Sequence, residues 1–258
     1  MNAPLGRGPV APITEALDFL LDELEGLLDD RLPMPPPDPF PISTGVDVLD
    51  DAFGGGLRIG MVTLIDGDLP AQAELVLGLI ARRIDHRVLL DTPSVVQATT
   101  RLLSAFAGVP AAFVRKGHID AGQWEKLVEA MPKLGHRDLV LSAAGSLMEI
   151  ETAAAEQRPL VVLVQDLCRF GPPAEVVMEL GEMAARRGVA VVATGIGIGE
   201  LPRWSTDRTD SVGMYASKLG SRVSLLRPDP DDLLTCAHLD VDCITGVVTW
   251  QSEGNRLF

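Results

Sequence analysis

A chain of 258 residues that is 47% hydrophobic holds enough apolar material for one large core plus an appendage. Its net charge of −14 excludes autonomous, sequence-blind nucleic-acid binding, which depends on neutralising phosphates, and leaves room only for a local basic groove. No apolar run reaches membrane-span length and none has the layout of a secretory leader, so the expected setting is the cytoplasm, with no membrane contact. Cys168, Cys236 and Cys243 lack metal-ligand spacing and read as reduced thiols that fill the core. The scattered histidines show no metal spacing either.

Residues 1–11 are Pro/Gly-rich and are expected to be a disordered tail. Residues 12–32 then carry Ile13, Leu17, Leu20, Leu21, Leu24, Leu27 and Leu28 at helical spacing. Glu15, Asp18, Asp22, Glu23, Glu25, Asp29 and Asp30 make the opposite face acidic. Residues 33–42 form a stiff, proline-rich tether. A leucine-faced helix on a tether must bury that face, either on its own domain or on a neighbouring subunit. Leu17, Leu20, Leu21, Leu24 and Leu28 are the candidate interaction residues.

Residues 43–258 alternate strand and helix patterns. Strands are expected at 61–65, 87–91, 138–142, 160–165, 189–194 and 221–226, and helices at 69–84, 94–107, 120–131, 146–157 and 173–187. That alternation predicts an α/β fold, a mostly parallel twisted sheet with helices on both faces. The end differs: 232–240 and 246–251 flank Cys243-Ile244-Thr245-Gly246 and predict an antiparallel hairpin. No internal repeat is visible. Arg82-Arg83 with Arg87, and Arg186-Arg187, fall at predicted helix ends, where cations complement the helix dipole.

The most informative stretch is Ile42–Glu74. Ser43-Thr44-Gly45, Leu49-Asp50, Gly55-Gly56-Leu57 and Gly60 form a spaced frame leading into a strand, a turn and a helix. Strand, turn, helix is the setting of a phosphate-binding loop, G-x-x-x-x-G-K-[ST]. Aligned from Gly67, the second glycine falls on Gln72, the lysine on Ala73 and the hydroxyl on Glu74. Alanine supplies no cation for the phosphates, and Glu74 supplies no hydroxyl for Mg²⁺. Glu74, with Asp66 and Asp68, instead adds unpaired negative charge where a triphosphate would sit. Asp68 is placed to cap the following helix, with Pro70 in its first turn, so that its carboxylate fills the phosphate's place.

Together with this frame, Arg101-Leu102-Leu103-Ser104, Arg115-Lys116-Gly117-His118-Ile119-Asp120 with Trp124, and Thr245-Gly246 resemble the C-terminal RecA-like motor domain of DnaB-type replicative helicases. The resemblance spans roughly residues 42–258 and implies a RecA-like, P-loop NTPase-type fold. It also implies that the tethered helix corresponds to the family's linker helix, which docks on the adjacent subunit of a ring. No counterpart of the family's N-terminal collar domain is expected. Carried over residue by residue, the family's working groups are replaced. The place of the catalytic glutamate falls on Ser94, with Asp91 too early. The Mg²⁺-associated aspartate falls on Gln165, with Asp166 one residue late. The γ-phosphate sensor falls on Gly195, and the lysine and arginine finger of the terminal hairpin fall on Leu239 and Val241.

These losses predict a helicase-fold protein that holds no nucleotide cofactor and no metal and does not hydrolyse ATP. Its expected role is assembly or regulation, by self-association or by joining a related RecA-fold helicase subunit through the N-terminal helix. The alternative is a nucleotide- or single-stranded-DNA-binding protein of replication or recombination using unconventional residues such as Asp91, Asp166 and Arg169. For DNA, the family's channel loops correspond to Gly195–Gly220, where Arg203, Trp204, Arg208 and Lys218 combine cations with an aromatic ring. A solvated loop with Asp207 and Asp210 offsetting that charge is the plainer reading.

Overall fold

The computed structural model describes the backbone of residues 41–53, 55–67, 70–195, 209–216, 222–228, 233–242 and 247–250, and the side chains of 41–51, 53, 55–65 and 74–195. The expected tail, the leucine helix with Leu17, Leu20, Leu21, Leu24 and Leu28, and nearly all of the tether lie outside the described residues. The tether's last residue, Ile42, belongs to the compact unit Pro41–Phe258. It is 5% exposed and pairs with Leu57 in an isolated β-bridge.

Short apolar segments build the centre of the sheet. They are β1 (Val62–Gly67), β2 (Val88–Asp91), β3 (Leu139–Ser142), β4 (Val161–Val164) and β5 (Ala190–Ala193). Every residue of β2, β4 and β5 is buried, the pattern of strands covered on both faces. The sheet continues through β6 (Thr209–Ala216), β7 (Arg222–Pro228), β8 (Leu233–Asp242) and β9 (Val247–Trp250). Its nine strands run in the order β3-β2-β4-β5-β1-β6-β7-β8-β9. Pairing is parallel from β3 to β6 and antiparallel from β6 to β9.

Alternation along the strands divides the core in two. Val161 and Leu163 join Val88, Leu90 and Val192 beneath α2 (Pro70–Arg83) and α3 (Val95–Ala107). Val162 and Val164 join Leu89 and Val191 beneath α6 (Leu147–Gln157) and α7 (Pro173–Arg187). The period of two that sends alternate residues to opposite faces therefore places helices on both sides, as the sequence predicts. The remaining helices are α1 (Asp47–Ala52), α4 (Ala111–Lys116) and α5 (Ala121–Gly135), the last started by a capping box between Asp120 and Gln123.

The terminal hairpin has the expected form, with Asp242 opposite Val247 and Leu239 opposite Trp250. The segment 195–220 does not form one long loop. Strand β6 occupies Thr209–Ala216 and runs parallel to β1, with Asp210 opposite Thr63. Asp210, Ser211 and Gly213 dilute the apolar alternation that announces the other strands. Arg203, Trp204, Arg208 and Lys218 lie outside the described residues.

The frame before β1 is a polar knot. The Asp50 carboxylate on α1 accepts hydrogen bonds from Ser43 Oγ at 2.6 Å, Thr44 Oγ1 at 2.6 Å and Thr44 N at 2.8 Å. Gly45 follows at φ +74, where a Cβ would lie 2.8 Å from the Arg83 carbonyl oxygen, so the loop closes directly onto the end of α2. Replacing Asp50 by Ala is expected to cost about 2 kcal/mol, because it orphans several donors around one charged acceptor. A thermal melt lowered by roughly 5 °C checks it.

The helix-end arginines do more than complement dipoles. Arg186 and Arg187 at the end of α7 both pair with Glu151 of α6, at 3.2 and 3.1 Å, and Arg87 pairs with Asp138 at 2.9 Å. Hydrogen bonding from Arg186 holds the Glu151 carboxyl below its ordinary value of 4.5. Because the folded value is depressed, this contribution is complete above pH 4.5 and is lost as pH falls through the folded value. Glu151→Gln is expected to flatten the acid limb of a stability-against-pH curve slightly, the arginines being half exposed.

Candidate functional site

The carboxyl ends of parallel strands are where an open α/β sheet presents its ligand site, because the following loops diverge there. β1, β2, β4 and β5 deliver Gly67, Asp91, Gln165 and Thr194 to one edge of this sheet. Strand β5 lies between β1 and β4, so the degenerate phosphate loop and the Gln165 strand end are two strand spacings apart, roughly 10 Å.

Gly67 ends β1, and Gln72 and Ala73 fall in the first turn of α2. Asp68 lies outside the described residues, as does its expected capping contact. Glu74 departs from expectation. It is not an unpaired carboxylate, since Arg101 on α3 forms an ion pair with its Oε2. The charge that should repel a phosphate is therefore held by a neighbouring helix.

Ser94, where the catalytic base is expected, is the N-cap of α3, with its Oγ accepting from Gln97 N at 3.4 Å. Gln165, where the Mg²⁺ aspartate is expected, accepts from Thr92 Oγ1 at 2.7 Å, while its backbone N–H donates to the Asp91 carbonyl at 2.9 Å. The ends of β2 and β4 are thus tied by two hydrogen bonds.

Asp91 is fully buried and is not a free acid. Its Oδ1 accepts from Ala144 N at 2.9 Å, and its Oδ2 meets Arg169 Nη2 in an ion pair. Arg169 sits in a 3₁₀ turn, Leu167–Phe170, directly after β4, and stacks 4.4 Å from the Phe170 ring centroid. Burial lowers the proton affinity of its guanidinium, and its Nε has no hydrogen-bond partner among the described residues. Asp91 and Arg169, two of the unconventional candidates, are thus paired with each other.

Asp166 starts the same turn in the left-handed region, φ 56 and ψ 69, with its N–H 3.3 Å from Thr194 Oγ1. Opposite it stands Gly195, at φ +105. A Cβ there would lie 2.8 Å from Asp166 Cα and 3.0 Å from Leu167 N, so position 195, where the sensor is expected, has no room for a side chain. Cys168, expected to fill the core, is exposed, and its Sγ donates to the Gly195 carbonyl at 2.6 Å. The side chains of Cys236, Cys243, Leu239, Val241 and Trp250 lie outside the description. Among the described residues, no group of His, Cys, Asp and Glu could hold a metal ion, and no helix is long and apolar enough to cross a membrane.

Beside this edge a cavity of about 40 Å³, opening into a wider surface groove, runs between α2 and α3. Leu75, Leu77, Gly78, Leu90, Ala98 and Leu102 contribute to its walls, and Glu74, Arg82, Arg101 and Gln165 are its polar groups. Sequence reading did not find it, because a groove between two helices leaves no motif.

The strand order, the helices on both faces and the site at the carboxyl edge define a RecA-like α/β domain. Comparison of structures gives the same class in more detail. A solved ATPase domain of a DnaB-like helicase superposes with a TM-score of 0.69 at 14% identity, covering 94% of this chain and 100% of that one. A DnaB-like replicative helicase, described with its interactions with primase, gives 0.64 at 14% identity, covering 92% of this chain and 71% of that one. The fold is that of the DnaB-like helicase ATPase domain. No protein-family model and no curated protein matches the sequence.

Proposed function

We infer that this chain is a DnaB-helicase-like protein that does not hydrolyse ATP and acts in the cytoplasm as an assembly or regulatory component. It self-associates or joins a related RecA-fold subunit through the leucine helix of residues 12–32. One observation carries the reading. Polar groups at the carboxyl edge are engaged with one another, Glu74 with Arg101, Thr92 with Gln165 and Asp91 with Arg169, so two of the substituted positions, Glu74 and Gln165, have structural partners. Phosphoryl transfer relies on charges aimed at the transferring group, and an arginine finger alone is worth about 10³–10⁵ in rate. Drift at one position would leave the other charges pointing at the substrate; here they point at each other.

Phosphate release from ATP with Mg²⁺ is expected to stay at the uncatalysed background, and calorimetry is expected to show no sub-millimolar ATP binding. Sub-millimolar binding would replace this reading with that of a nucleotide-binding protein. Removing residues 1–34 is expected to reduce the sedimenting species of the full chain to a monomer. An unchanged sedimentation profile would remove the docking role from the helix.

A further inference from the structure

We propose that the cavity between α2 and α3 binds a small amphipathic carboxylate, its apolar body between the helices and its charged head on Arg82. The first ground is the lining. Leu75, Leu90, Ala98 and Leu102 are apolar and lie against buried core, so water filling the space finds few partners. The second is Gly78. It lies inside α2, where glycine costs a helix about 1 kcal/mol relative to alanine. An added Cβ there would make only ordinary contact, 3.9 Å from Leu102 Cδ2. Glycine at this position therefore opens space that a side chain could fill without strain.

The third ground is charge. Glu74 and Arg101 neutralise each other at one end of the cavity. Arg82, eight residues from Glu74 and so ~12 Å further along the helix, has no carboxylate partner among the described residues. Its Nε donates to the Gly78 carbonyl at 3.1 Å, and its guanidinium lies 5.8 Å from the Phe106 ring centroid. Burial, with Arg83 adjacent, lowers its pKa to about 10, so it stays a full cation at neutral pH. Among the described residues the cavity thus carries one uncompensated positive charge beside an apolar wall. The enclosed cavity is about 40 Å³, and a water needs roughly 10–15 Å³ of such space, so it holds about three water-sized groups and the rest of a bound chain lies in the open mouth. Octanoate, a short chain with one charged head, is the probe. The site is independent of the assembly role.

Calorimetry on the full chain with octanoate, 1-octanol and octylamine tests it. Octanoate is expected to bind saturably with a Kd below about 1 mM, and the neutral and cationic chains at least tenfold more weakly, the scale of one charge-assisted contact. Arg82→Gln is expected to reduce octanoate to the level of octanol, and Gly78→Leu to abolish binding of all three with the circular dichroism spectrum unchanged. Absence of saturable octanoate binding to the unmodified chain overturns the proposal, as does octylamine or octanol binding as tightly. Should both variants fail to fold, the comparison of the three probes on the unmodified chain still decides. Failure here leaves the ATP and sedimentation outcomes untouched.

Discussion

Arg169→Met is expected to destabilise the domain by about 3–5 kcal/mol, the cost of leaving a buried charge without its partner. Asp91 is 0% exposed and Arg169 keeps only 17% of its side-chain exposure, so solvent cannot take over the lost contact. At about 2–4 °C per kcal/mol for a chain of this size, the melting temperature should fall by roughly 10 °C. Pairing it with Asp91→Asn separates charge from packing. Asparagine keeps an oxygen for the Ala144 N–H, at 2.9 Å in the parent, while removing the stranded charge. The double variant should therefore regain most of the lost stability, which a denaturant titration of the four proteins resolves as a coupling energy. A double variant as unstable as Arg169→Met would show that Asp91 and Arg169 are not energetically joined.

That pair also shows where sequence reading stops. Valine- and leucine-rich segments such as VVLV announce strands because both faces must be covered, and the 3.6-residue spacing of Val176, Leu180 and Met183 announces α7. Those features are local. Parallel strands follow from the alternation with helices, and the spaced frame around Ser43, Thr44 and Asp50 is legible because its partners lie within a few residues of one another. Strand β6 escaped because Asp210, Ser211 and Gly213 interrupt its pattern, and the neighbouring β1 supplies the pairing that its own propensity does not. The six-residue helices α1 and α4 are too short to show a period.

The candidate site divides the same way. Ala73, Gln165 and Ser94 stand where the resemblance leads one to expect the lysine, the Mg²⁺ ligand and the base, and that much is local in sequence. What these residues do instead cannot be read there, because their partners are remote in sequence. Glu74 meets Arg101, Thr92 meets Gln165, and Asp91 meets Arg169 only once strands β2 and β4 lie side by side. Reading Glu74 as a free negative charge fails for this reason.

The last position, Gly195, gives the strongest steric expectation. Gly195→Gln, which would restore a sensor side chain, is expected to cost about 3 kcal/mol or more, the overpacking scale. The collision begins at Cβ, 2.8 Å from Asp166 Cα, and it involves backbone, which cannot swing aside. Gly195→Ala should therefore cost nearly as much as Gly195→Gln. Backbone strain alone does not reach that figure. Gly188, at φ +64 with nothing within 4 Å of an added Cβ, isolates the strain, and Gly188→Ala should cost only about 1 kcal/mol. The difference between the two alanine variants measures the crowding of 195 against the turn that carries Arg169. Restoring Ala73→Lys, Glu74→Thr, Ser94→Glu and Gln165→Asp together should accordingly leave phosphate release at background. The sensor position stays closed, and Arg169 still holds the buried Asp91 beside the rebuilt edge. Equal costs at 188 and 195 would mean that Gly195 has room after all, and a sensor could then be reinstated by substitution.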